Sequence, residues 1–186
     1  MAHPNRLEPS RAGLLVIDVQ ERLLSAMPES SRQRRLGRLE ALIAGAKALE
    51  LPIVWTEQYP TGLGPTTPSV RAELEGIEPH AKTSFSCLGD AEIARAVQDT
   101  GRDQWLVAGM ETHICVLQTV RDLREAGHAV HLVVDACWSR SPVDYEVGLE
   151  RARALGAAHS TTETALFELL GEAGGEAFKL ISRRIR

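Results

Sequence analysis

Three residues that work together in nucleophilic chemistry stand at separated points of this chain: Asp18, Lys82 and Cys115. A thiol attacks a carbonyl carbon once a base has taken its proton, and a nearby cation favours the charged forms of both. Asp18 closes the apolar run Gly13-Leu14-Leu15-Val16-Ile17, and Lys82 opens the polar block Lys82-Thr83-Ser84-Phe85-Ser86. Cys115 ends the stretch Gly109-Met110-Glu111-Thr112-His113-Ile114. Taken singly, each has a plainer reading. Asp18 would cap a backbone turn, Lys82 would face water, and Cys115 would pack as a small buried hydrophobe.

The elements around them supply the argument for convergence. Short apolar runs at Gly13–Asp18, Ile53–Thr56, Trp105–Gly109 and Val130–Ala136 read as strands buried on both faces, and shorter strands are predicted near Lys82 and over Ala158–Thr161. Between them, helical spacing runs over Ser31–Leu49, Ala91–Thr100, Thr112–Ala126, Val143–Leu155 and Glu163–Leu170. From Glu57 to His80 the chain is rich in Gly, Pro and Thr without periodicity and reads as a long functional loop. The tail from Glu176 to Arg186 fits either a helix or a strand. Alternation of this kind gives a three-layer, Rossmann-like α/β fold over the whole chain, 1–186, as a single domain. Its expected core is a mostly parallel six-stranded sheet in the order 3-2-1-4-5-6, with helices on both faces. Ligands bind such sheets where strand order reverses, between the first and fourth strands. Asp18 and the Met110–Cys115 segment leave those two strands. Cys115 is expected in the first turn of its helix, where free N–H groups and the helix dipole favour a thiolate and can form part of an oxyanion hole.

Several function classes are set aside. The net charge of −4 offers no footprint for nucleic acid. The arginines at 32, 34, 35 and 38 read as a solvated helix face. No apolar run approaches the ~20 residues that cross a bilayer. The polar start from Met1 to Arg11 has no secretory core, and three cysteines without a CxxC fit a reduced, cytoplasmic setting. No GxGxxG follows the first strand, and Gly62-Leu63-Gly64 reads as a turn. His80, His128, His131 and His159 lack metal-ligand spacing.

The blocks Leu14-Leu15-Val16-Ile17-Asp18-Val19-Gln20, Lys82-Thr83-Ser84-Phe85-Ser86 and Gly109-Met110-Glu111-Thr112-His113-Ile114-Cys115-Val116 resemble the isochorismatase-like hydrolase family in order and separation. Thr56-Glu57-Gln58-Tyr59-Pro60 and Asp135-Ala136-Cys137-Trp138-Ser139-Arg140-Ser141 look most like its isochorismatase-domain-containing subgroup. The resemblance implies a catalytic Asp18, Lys82 and Cys115. It also implies a cis peptide between Met110 and Glu111 that turns the Glu111 N–H toward an oxyanion beside that of Cys115. Homo-oligomers are implied as well. The nicotinamidase branch carries a metal-binding Asp-x-His after the second strand. Gln58-Tyr59-Pro60 supplies neither ligand, so no metal and no cofactor are expected. A cysteine nucleophile also sets the chain apart from true isochorismatases, which cleave a vinyl ether without one.

The expected chemistry is hydrolysis of a C–N bond, amide or related, in a small molecule, through a thioester-type intermediate. Two other classes stay open: a non-hydrolytic small-molecule binder, and a thiol redox protein using Cys115 with Cys137 as partner. Of eight aromatic residues, Tyr59, Phe85 and Trp138 are expected as walls of the substrate pocket, with Gln20 as a further candidate. Trp55 fits core or rim equally. His113, two residues from Cys115, points to another helix face and is expected to orient or pack.

Overall fold

The computed structural model describes residues 6–185; residues 1–5 and Arg186, on which part of the readings of both ends rest, lie outside them. Six strands form one sheet: β1 (Ala12–Ile17), β2 (Ile53–Gln58), β3 (His80–Lys82), β4 (Gln104–Met110), β5 (Ala129–Trp138) and β6 (Ala158–Ser160). All neighbours are parallel, in the order β3-β2-β1-β4-β5-β6. β1 sits mid-sheet and buries all six residues, which is why its run is uninterruptedly apolar.

Helices cover both faces, and alternation along the strands assigns them. Leu14, Val16, Leu106 and Ala108 pack with α2 (Glu29–Ala48), α8 (Thr162–Leu170) and α9 (Gly175–Ile185). Leu15, Ile17, Trp105 and Val107 pack with α5 (Ala91–Asp99), α6 (Leu117–Glu125) and α7 (Pro142–Ala154). Asp90, Ser141 and Thr161 cap α5, α7 and α8 by accepting first-turn amides.

Four elements depart from the sequence expectations. A short α1 (Glu21–Ser25) follows β1, and the segment after β2 holds α3 (Pro60–Leu63) and α4 (Pro68–Glu73). Both of the latter begin on proline, whose fixed φ suits a first helical turn, but they are too short to register as periodicity. The helix expected from Thr112 begins instead as a π-helical turn, Thr112–Val116, and becomes α-helical at Leu117. The tail is the helix α9.

Of the four arginines at 32, 34, 35 and 38, Arg34 is exposed as expected, and the other three are not a solvated face. Arg32 donates to the Ser25 and Met27 carbonyls, Arg35 to those of Val134 and Cys137, and Arg38 to that of Ile185. Those carbonyls lie at helix ends and where β5 loses register with β4, between the pairs Val107–Leu132 and Gly109–Cys137. A buried carbonyl left unpaired is costly, and the guanidinium forks remove that cost.

At the switch point, Ile17 lies beside Gly109. A Cβ on Gly109 (φ +123°) would sit 2.1 Å from the Ile17 carbonyl oxygen, so only glycine lets β1 and β4 approach this closely. The chain leaves β1 at Asp18 and β4 at Glu111, at the same end of the sheet.

Candidate active site

Asp18 adopts a left-handed conformation (φ +55°) immediately after β1, which turns its fully buried carboxylate toward the sheet end. Aspartate tolerates this region better than most residues, and the strain of about 1 kcal/mol is held by the surrounding core. The Lys82 ammonium lies 2.7 Å from Asp18 Oδ2, with neither side chain exposed. Lys82 Nζ also donates to Gln58 Oε1 (2.6 Å) and to the Ser84 and Phe85 carbonyls (3.2 Å each). Parallel pairing of β2 with β3 places Gln58 opposite Lys82, which builds that contact into the sheet. The other carboxylate oxygen, Asp18 Oδ1, accepts the Thr56 hydroxyl at 2.7 Å.

Cys115 sits in the π-helical turn, 6 % exposed, and its thiol feels the charges of both Asp18 and Lys82. The Glu111 carbonyl accepts the Ile114 and Val116 amides and passes over that of Cys115. The Met110–Glu111 peptide is cis. Burial pushes the Cys115 thiol up, the Asp18 charge adds to it, and Lys82 only partly counters. Burial is the largest influence on the Lys82 ammonium and works against it, but Asp18, Cys87 and Cys115 together outweigh it and the pKa ends above the usual lysine value. The group is therefore a thiol beside a buried ion pair. The expected thiolate at a helix start is corrected: a desolvated thiol facing a carboxylate keeps its proton until something draws it off.

An isochorismatase domain model matches residues 12–164 of the chain. The chain belongs to the isochorismatase family. Isochorismatase domain-containing protein 2 of Bos taurus is 38% identical over 97% of the chain and 86% of its own length. Among solved structures, one described as MAR1 ribonuclease from Caenorhabditis elegans is 33% identical, with a TM-score of 0.89 over 97% of this chain and 92% of that one. YcaC of Pseudomonas aeruginosa, solved with hexane-2,5-diol and covalent acrylamide, is 25% identical with a TM-score of 0.91, covering 99% and 93%. Its Escherichia coli counterpart, described as an octameric hydrolase of unknown specificity, is 26% identical with a TM-score of 0.87, covering 92% and 85%. Membership supports a hydrolase.

Within this isochorismatase fold, Asp18, Lys82 and Cys115 are brought together from three strand ends. Tyr59 and Phe85 stand exposed at the rim, at 56 % and 54 %. Tyr59 lines an open cavity of about 250 Å³ with Pro60, Ala81, Lys82, Thr83 and Asp90. Two expected pocket residues are placed otherwise. Trp138 is buried in the core at the end of β5, and the cavity it borders is a different one, beside Arg35 and Tyr145. Gln20 is fully buried and spends its amide on the loop after β2, donating to the Gln58 and Gly64 carbonyls and accepting the Gln58 N–H. It braces the rim rather than facing a ligand. Trp55 belongs to the core. Larger cavities, of about 520 Å³ against α4 and about 390 Å³ between α6 and α7, include none of the three central residues.

His113 turns away from the thiol, with Nδ1 3.0 Å from Ser139 Oγ and Nε2 4.0 Å from Asp144. Gln58, where metal-containing relatives would place a ligand, is committed to Lys82 through Oε1 and to the Thr83 carbonyl through Nε2. Four residues at the site were not singled out from the sequence: Thr56, Gln58, Cys87 and Thr119. The alternation of Thr56 and Gln58 on β2 was the available signal, since both share one face. Cys87 rather than Cys137 is the second thiol at the site, feeling both Asp18 and Lys82.

The three cysteines carry a stability consequence. Burial pushes Cys87 from 9.0 to about 11 and Cys137 to about 12. Because the folded values are raised, the unfolded chain releases these protons first as pH climbs. Their contribution is intact below pH 9 and lost as pH rises toward 11 and 12. Two pH units at Cys87 alone amount to roughly 3 kcal/mol. The melting temperature is expected to fall between pH 9 and 11, and to fall less in Cys137→Ala. A flat profile over that range in the parent protein would contradict this burial.

Proposed function

We propose that this protein is a cysteine hydrolase that cleaves a C–N bond of a small molecule, amide or related, through a thioester. The carrying observation is the buried thiol of Cys115 within electrostatic reach of the buried Asp18–Lys82 pair. On substrate binding, Asp18 takes the Cys115 proton while Sγ bonds to the carbonyl carbon. The tetrahedral oxyanion accepts the Glu111 and Cys115 N–H groups, each worth about 3 kcal/mol in sites of this kind. The C–N bond then breaks and Asp18 returns its proton to the departing amine. Water, deprotonated by Asp18, attacks the thioester and releases the acid, and the proton goes back to Sγ. Lys82 stays protonated throughout and holds Asp18 as an acceptor. Tyr59 and Phe85 form the rim that a small, partly apolar substrate meets. A homo-oligomer is the expected assembly, supported by the octameric relative.

A screen of small amides, ureas and carbamates, reading ammonia or amine release, tests the reading. RNA belongs in the same screen because a similar structure is described as a ribonuclease, and it is expected to survive intact. Acrylamide, covalently present in the Pseudomonas relative, serves as a thiol probe and is expected to add to Cys115. Ligand binding without any release or adduct would favour the non-hydrolytic binder. Disulfide formation under mild peroxide would favour redox chemistry. Because Gln58 is occupied by Lys82 and Thr83, activity should persist through exhaustive chelation; loss on dialysis against chelator, restored by zinc or iron, would overturn the metal-free scheme.

A further inference from the structure

We propose that Thr56 and Cys87 are positioning residues, forming with Thr119 a buried hydrogen-bonded string that aims the base and the nucleophile together. This inference rests on the reading of Asp18 and Cys115 given above. Its warrant is a count of hydrogens. A threonine hydroxyl owns one hydrogen. That of Thr56 goes to Asp18 Oδ1 at 2.7 Å, where a carboxylate whose other oxygen meets the Lys82 ammonium can only accept. Thr56 Oγ1 also lies 3.9 Å from Cys87 Sγ. With the hydroxyl hydrogen already committed, the thiol must be the donor in that contact. The polarity therefore runs one way, from Cys87 S–H to Thr56 O–H to Asp18.

The same count applies on the other side. The Cys87 N–H donates to Thr119 Oγ1 at 3.0 Å, and the Thr119 hydroxyl donates to the Cys115 carbonyl at 2.7 Å. Cys87 thus touches the base through its side chain and the nucleophile's turn through its main chain. Thr56, Cys87 and Thr119 are all at most 1 % exposed, so water does not compete for these bonds. Burial keeps the Cys87 thiol protonated, with its pKa at about 11, which preserves it as a donor across the neutral range. Cys87 also closes the segment that begins at Lys82 and supplies the Ser84 and Phe85 carbonyls to that ammonium. One short stretch of chain therefore fixes all three reacting groups.

The string makes a directional prediction. The Asp18 charge raises the Cys115 thiol, and the Thr56 hydroxyl draws off part of that charge. Thr56→Val keeps the shape and removes the hydrogen, so the pH midpoint for addition of acrylamide to Cys115 should rise by about half a pH unit or more, a ~3-fold change. Thr56→Ser keeps a hydroxyl and should return the midpoint to the parent value. Cys87→Ala should shift it in the same direction by less, since a thiol is a weak donor, and Cys87→Ser should restore it. Because Cys87 acts through Thr56, adding Cys87→Ala to Thr56→Val should move the midpoint no further. The measurement is the rate of peptide-resolved acrylamide labelling of the full chain from pH 7 to 10, where the thiol is mostly protonated and a shifted midpoint reads as a proportional change in rate at each pH, with melting temperature followed in parallel. Both serine variants retain hydrogen-bonding groups, and they report even if valine or alanine unfolds the chain. An unshifted midpoint in folded Thr56→Val, or a serine variant no closer to the parent than its apolar counterpart, overturns the string while leaving the nucleophile reading intact. Failure of Cys115 to label in the parent protein, with the denatured chain labelling normally, overturns both.

Discussion

Cys115→Ala is expected to abolish turnover, by about 10⁴-fold or more, on any substrate the parent protein cleaves. The size follows from the covalent scheme: without Sγ there is no thioester, and the remaining N–H donors and pocket accelerate only a direct attack by water. Folding should be little affected. The substitution removes one heavy atom from a small side chain that is 6 % exposed. A loss within about 1 kcal/mol is expected from a deletion this small. Cys115→Ser sharpens the test, since it keeps volume and a hydrogen-bonding group. A hydroxyl is far harder to ionise than a thiol, so serine should fold like the parent and remain inactive. The measurements are product release under saturating substrate and a melting curve for each variant. Retained turnover in the folded alanine variant, above a tenth of the parent rate, ends the covalent mechanism.

That prediction concerns the part of the site the sequence made easiest to see. Asp18 ends an apolar run that can only be a strand buried on both faces, and Cys115 follows a second such run. The rule that ligands sit where strand order reverses then joins them across 97 positions. The register of Ile17 with Gly109 realises that junction. Polar contacts made across strands were less legible. Nothing local in Gln58 or Thr56 announces that one will meet an ammonium and the other a carboxylate. Those contacts depend on the register of β2 with β3 and β1, which alternation alone does not set. Trp138 shows the converse failure. Its position at a strand's carboxyl end suggested the pocket, but which face of β5 it occupies depends on the break in register after Val107. Arg35 belongs to the same irregularity: a charge run reads as solvent-facing until an unpaired set of carbonyls is found within its reach. The thiol's electrostatics were misjudged for a related reason. Helix-start logic assumes an α-helical first turn open to water, whereas the turn here is π-helical and the dominant effect is burial.

Lys82→Met is expected to be the most destabilising of the single substitutions at this site, and the reason lies in Asp18 rather than in the lysine. Both side chains are fully buried, and among the described residues the ammonium is the one cation paired with the carboxylate, at 2.7 Å. Methionine fills similar volume but leaves a buried carboxylate without its partner and takes a donor from Gln58 Oε1 and from two carbonyls. Breaking a buried pair from one side costs about 3–5 kcal/mol, which for a chain of this size lowers the melting temperature by roughly 10 °C. The pH dependence gives the mechanism away. In the variant, burial penalises the unpaired carboxylate, so stability should recover on acidification, opposite to ordinary acid denaturation. Turnover should be lost in the same variant, because Asp18 without its ammonium partner is no longer held as the acceptor of the Cys115 proton. The double variant Asp18→Asn/Lys82→Met removes both charges. It should be more stable than Lys82→Met alone, while remaining inactive for want of a base. Denaturant melts of the parent, both single variants and the double variant, each at pH 5 and pH 8, measure the coupling. If the double variant's loss equals the sum of the two single losses, Asp18 and Lys82 do not act as one buried unit, and the assignment of Lys82 as the group that holds Asp18 ready for the Cys115 proton falls with it.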